Sequence, residues 1–107
     1  MMRAEDPAKV FYNDVEPQIA AIYAESLCLC SPHLPHCKQA YAAFQHISST
    51  YSLCELDNAI SVTMQERMST QPGTWVEVMR VKASHSPFLS MPAEVAKMIG
   101  KAAVGTL

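Results

Sequence analysis

Two runs of strand-forming residues with one helix between them constrain this 107-residue chain more than any other feature. The first, Thr50-Tyr51-Ser52-Leu53-Cys54, runs into the polar turn Glu55-Leu56-Asp57-Asn58 and predicts a strand ending at residues 54 to 56. The second is Thr74-Trp75-Val76-Glu77-Val78-Met79-Arg80-Val81. Between them Ser61 stands at an N-cap position, and Val62, Met64, Gln65 and Met68 start a helix that stops before Pro72-Gly73. Strands joined by a helix pair in parallel through a right-handed crossover, and parallel sheets are covered on both faces. Two strands cannot build such a sheet alone.

The flanks read as helical. Residues 1–14 are polar and irregular. Asp14 is then placed to cap an amphipathic helix that reaches about residue 30, with Val15, Ile19, Ile22, Tyr23 and Leu27 along one side. Ser31-Pro32-His33-Leu34-Pro35 breaks it, because each proline lacks an amide donor and disfavours helix in the residue before it. A second helix of about ten residues is expected next, with Cys37, Tyr41 and Phe44 on one side. After a loop over 84–90, Pro92 opens a last helix carrying Val95, Met98, Ile99 and Ala102 at helical spacing.

Composition narrows the classes. Half of the residues are hydrophobic and 17% are charged, against roughly 25% in an average globular protein, so the surface is short of charge and suited to lie against something else. Eight Lys+Arg against ten Asp+Glu, with no basic cluster, argue against nucleic acid as a partner. No apolar run has the roughly 18–20 residues a membrane span needs, and the start Met1-Met2-Arg3-Ala4-Glu5-Asp6-Pro7 lacks an apolar signal core. The expectation is a soluble cytoplasmic protein, with no membrane partner and Cys28, Cys30, Cys37 and Cys54 reduced. Gly73, Gly100 and Gly105 are spaced for neither a dinucleotide loop, a phosphate-cradling loop nor a Gly-x-Ser-x-Gly elbow, and no cofactor is expected.

If the two strands are parallel neighbours, the residues past their carboxyl ends emerge at one sheet edge, where open α/β sheets place their sites. Those residues are Asp57 and the loop carrying His85. A carboxylate that accepts the imidazole Nδ1 proton leaves Nε2 free to take a proton from a nucleophile. The plainer reading makes Asp57 a turn residue bonded to its own backbone and His85 a polar loop residue. A second constellation, Cys28-Leu29-Cys30-Ser31-Pro32-His33-Leu34-Pro35-His36-Cys37, holds five potential zinc ligands. Its ligands are all local and its prolines limit curling, so no metal is expected; the cysteines read instead as buried on helix faces and the histidines as exposed. The seven methionines read as core filling, Trp75 as a packing residue and His46 as a solvated helix-end residue.

The residues Thr50-Tyr51-Ser52-Leu53-Cys54-Glu55-Leu56-Asp57-Asn58-Ala59-Ile60, an amphipathic helix, and then Ala83-Ser84-His85-Ser86-Pro87-Phe88-Leu89-Ser90-Met91-Pro92 resemble the C-terminal part of α/β-hydrolases. The branch is that of the plant methyl-ester and hydroxynitrile-processing enzymes and their fungal relatives. Phe11-Tyr12-Asn13-Asp14-Val15 resembles the lid-to-core return of the fungal members. The resemblance implies an α/β fold class: the C-terminal fragment of an α/β-hydrolase fold, strand-helix-strand-helix with parallel strands, preceded by two helices. It divides the partial domain 1–107 into a helical lid-return region, 1–48, and the βαβα end of the sheet, 49–107. It makes Asp57 the triad acid and His85 the triad base, with a small-molecule ester or related metabolite as substrate once an N-terminal half completes the site. No serine here has the flanking glycines of a nucleophile elbow, so these residues supply two members of a three-member site.

Three functions remain open on the sequence. The chain is the C-terminal segment of a serine esterase-type hydrolase of fungal small-molecule (secondary) metabolism, or a non-catalytic hydrolase-like binding protein, or a small zinc-binding module. Self-association is expected from the unpaired sheet edge.

Overall fold

A computed structural model describes residues 5–73 and 76–105. The readings at Met1 to Ala4, and those of Thr74 and Trp75 as strand start and packing residue, lie outside the described residues. Two strands, β1 (Ser49–Cys54) and β2 (Val76–Val81), pair in parallel with Ser49 opposite Val76 and Cys54 opposite Val81. Helix α3 (Val62–Ser69) makes the crossover, capped as expected by the Ser61 hydroxyl, which accepts from the Met64 amide at 3.3 Å. Helix α5 (Pro92–Gly105) follows, after a single turn of helix α4 (Pro87–Ser90) inside the segment expected to be loop. The molecule is thus a mix of helices around a parallel two-stranded sheet.

The Glu55 amide donates to the Val81 carbonyl at 2.9 Å, so the odd-numbered residues of β1 face β2. By the two-residue period, Thr50, Ser52 and Cys54 turn their peptide groups to the open edge. At Cys54 that edge is closed by a side chain. The Gln65 carboxamide accepts from the Cys54 amide at 2.8 Å and donates to the Cys54 carbonyl at 2.9 Å.

The N-terminal quarter differs from expectation. A short helix α1 (Pro7–Phe11) occupies the stretch expected to be irregular, with Pro7 at its first position. Helix α2 (Pro17–Glu25) starts at Pro17, and its cap is Glu16, whose carboxylate accepts from the Ile19 amide at 3.0 Å; Asp14 is not the cap. The helix ends five residues early, where the Ser26 hydroxyl donates to the Tyr23 carbonyl at 2.8 Å. Its buried residues are the small Ala20 and Ala24, packed with Tyr12, while Ile19, Ile22 and Tyr23 are exposed.

The expected second helix after Pro35 is not formed. Its place holds single 3₁₀ turns at Leu34–His36 and Ala43–Gln45 within an exposed segment. A ten-residue helix is marginal without tertiary packing, and none of the described residues buries its apolar side, with Leu34, Tyr41 and Phe44 all exposed. Cys28, Cys30 and Cys37 are accordingly exposed free thiols, not buried ones; only Cys54 is buried. His46 stacks on Tyr41, with ring centroids 5.4 Å apart. Met64 and Met68 are 47% and 41% exposed, so they do not fill a core. No helix among the described residues is long and apolar enough to cross a membrane.

Candidate functional site: an aspartate–histidine pair at the sheet edge

β1 and β2 end side by side, and the two turns beyond them remain tied, the Leu56 amide donating to the Ala83 carbonyl at 3.0 Å. Asp57 and His85 project from these turns. The carboxylate is almost fully enclosed, its side chain 4% exposed, and its two oxygens have separate partners. Oδ1 accepts from the Ala59 amide at 2.7 Å and the Ile60 amide at 3.0 Å. Oδ2 lies 2.9 Å from His85 Nδ1. The turn role and the histidine-orienting role, alternatives on the sequence, are therefore both filled by one side chain.

An ionised Asp57 accepts, so Nδ1 carries the imidazole proton and Nε2 presents its lone pair. The imidazole is 35% exposed and leans on the Phe11 ring at 5.3 Å, so one side is fixed and the other open. This arrangement can accept a proton from a hydroxyl brought to Nε2 and return it to a leaving group.

Several braces around the pair were not visible in the sequence. Gln65, 2% exposed, also donates to the Ile60 carbonyl at 2.8 Å. The segment over 9–14 is stitched to both turns: Asn58 Nδ2 donates to the Lys9 carbonyl and Asn13 Nδ2 to the Leu56 carbonyl, each at 2.9 Å. The Ser84 amide donates to Asp14 Oδ2 at 2.9 Å, and the fully buried Ser84 hydroxyl donates to the Phe11 carbonyl at 3.3 Å. Asn13, Asn58 and Ser84 carried a signal only as small polar residues outside the expected helices and strands, whereas Asp14 and Gln65 read as a helix cap and a helix residue.

Burial pushes the Asp14 carboxyl up, but its hydrogen bonding with Ser84 and the nearby Ser90 hydroxyl outweigh that and hold it below its ordinary value. The Ser90 hydroxyl favours the anion from close by without closing a bond, since it and Asp14 Oδ1 are buried without a partner. A lowered carboxyl stabilises the fold fully above the unfolded pKa of about 3.9 and stops doing so as pH falls through its lower folded value. Asp14→Ala is therefore expected to destabilise the chain by about 1–3 kcal/mol at neutral pH, because the buried Ser84 amide loses its acceptor. The deficit should shrink below about pH 3.9, as measured by denaturant titration at pH 7 and pH 3. An equal deficit at both values would exclude the carboxylate as the cause.

Cys54 is the buried thiol nearest this edge in sequence. Burial, and after it the Asp57 charge, push its pKa up, so it stays protonated and is a poor nucleophile. The strip over 28–37 lies apart in the exposed segment, and no group of three or more His, Cys, Asp or Glu among the described residues could hold a metal ion.

Over 104 residues the chain is 36% identical to the "Alpha/beta hydrolase nvfD" of Aspergillus novofumigatus (strain IBT 16806), a match covering 96% of this chain and 41% of that protein. The chain thus spans about two fifths of the length of this relative. No family model and no solved structure matches it.

Proposed function

Because the chain is a relative of the α/β hydrolases, we propose that it is the C-terminal fragment of such a fold and carries the acid and base of a serine esterase-type site. Asp57 is the acid and His85 the base. The observation that carries this reading is the 2.9 Å contact between Asp57 Oδ2 and His85 Nδ1, made while Oδ1 is held by two backbone amides. That division fixes the carboxylate in the orientation a general-base histidine requires.

The nucleophile and the oxyanion donors come from outside these 107 residues, since no serine here stands on a Gly-x-Ser-x-Gly turn. In the completed site His85 Nε2 takes the serine proton as the hydroxyl attacks an ester carbonyl, and returns it to the leaving alcohol. Asp57 stabilises the imidazolium between the two steps. The substrate is a small ester or related metabolite. The relative comes from a fungus, Aspergillus novofumigatus, which supports a place in fungal small-molecule metabolism. Segment 1–48 serves as the return from the lid to the core.

The test is complementation. The chain is mixed with, or fused to, an N-terminal hydrolase segment bearing the elbow serine, and hydrolysis of an activated ester is measured with and without it. Activity that appears only in the combination supports the reading. A combination that folds and remains inactive removes it.

A further inference from the structure

Among the described residues Gln65 is the one fully enclosed carboxamide near the site, and its bonding carries more than helix packing requires. Its Oε1 and Nε2 grip both peptide groups of Cys54 on the open edge of β1, at 2.8 and 2.9 Å. The same Nε2 donates its second proton to the Ile60 carbonyl at 2.8 Å. Ile60 is in turn one of the two residues whose amides hold Asp57 Oδ1. One side chain on the crossover helix therefore closes the loop from Cys54 to Ile60 and holds, by its carbonyl, the residue whose amide bonds the Asp57 carboxylate.

We propose that Gln65 is a positioning residue that sets the orientation of Asp57 toward His85, and so the imidazole tautomer. The inference rests on the proposed role of the Asp57–His85 pair. A glutamine is the side chain that fits: it offers one acceptor and two donors, matching one amide and two carbonyls. Glutamate loses both donors and sets a charge against two carbonyl oxygens. Methionine keeps the length and volume but supplies no donor and only a weak acceptor. Either change releases the Ile60 carbonyl, so that Ile60 is anchored on one side only and the amide it offers to Asp57 Oδ1 is no longer fixed from both.

The test reads the tautomer directly. The full chain, labelled with ¹⁵N at its histidine rings, is examined by NMR along an alkaline pH series, and the tautomer is read where the ring ¹⁵N shifts no longer change with pH. The unsubstituted chain is expected to show His85 chiefly as the Nδ1–H form. Gln65→Met and Gln65→Glu should each convert it chiefly to the Nε2–H form while the β1–β2 amide pattern persists. A purely structural role would lower the melting temperature and leave the tautomer alone, and that result overturns the proposal. So does a chain that unfolds in both variants, because Gln65 is then a scaffold residue. Asp57→Asn separates the two levels of inference. If it leaves the tautomer of the otherwise unsubstituted chain unchanged, the pair itself fails; if it changes the tautomer and the Gln65 variants do not, only the positioning role fails.

Discussion

In the complemented enzyme, His85→Ala is expected to lower kcat by at least about 10⁴-fold and Asp57→Asn by about 10⁴-fold, the size of loss that removal of a base or its orienting acid causes in triad enzymes. The two losses have different physical origins. Without His85 there is nothing to accept the nucleophile's proton. With asparagine at 57 the turn survives, because an amide oxygen can still accept from Ala59 and Ile60. What changes is the group facing Nδ1. An amide NH₂ there donates instead of accepting, which places the imidazole proton on Nε2 and closes the general-base position. The double variant should be little worse than either single one, since both remove one function. The chain by itself should hydrolyse an activated ester no faster than free imidazole does. Saturable, His85-dependent turnover by the isolated chain would show a nucleophile within these residues. Complemented activity indifferent to both substitutions would move the site elsewhere.

The edge that carries Asp57 and His85 was legible in the sequence because its determinants are local. β-branched and aromatic residues define β1 and β2, Ser61 caps α3, Pro92 opens α5, and a helix between two strands makes them parallel. Parallel strands bring Asp57 and His85 to one edge without any knowledge of the intervening packing. The braces were illegible because their partners are distant in sequence. Asp14 is chemically a good helix cap, and only the approach of Ser84, 70 residues away, shows that its carboxylate is used elsewhere. Gln65 looks like any polar residue on a helix until the open edge of Cys54 is seen beside it. The region over 28–47 misled for the opposite reason: its apolar periodicity is real, but a periodic stripe makes a helix only where another surface covers it. Phe44, Tyr41 and Leu34 are 41%, 62% and 61% exposed, and no such surface is present among the described residues.

That deficit has a measurable consequence. The molecule exposes 7915 Å², whereas a compact monomer of 11.8 kDa exposes about 5,900 Å². Its radius of gyration is 15.3 Å, against about 13 Å for a compact chain of this length. The excess, about 2,000 Å², is of the order that a stable protein–protein interface buries. Much of it is apolar, including Ile22, Ile99 and Val104, each more than 60% exposed, and it accompanies an open edge along Thr50 and Ser52. A fully packed domain of this size unfolds with an enthalpy of about 75 kcal/mol near 60 °C. The chain alone is expected to give less than half of that in calorimetry, over a broad transition, and to self-associate at micromolar concentration in sedimentation, because an exposed apolar edge pairs with whatever is nearest. The N-terminal hydrolase segment should sharpen the transition, raise its enthalpy and suppress the self-association together, since one surface is being covered in each case. A monomeric chain that melts sharply with the full enthalpy would mean that these residues complete their own core, and the case for a missing half of the fold would fall with it.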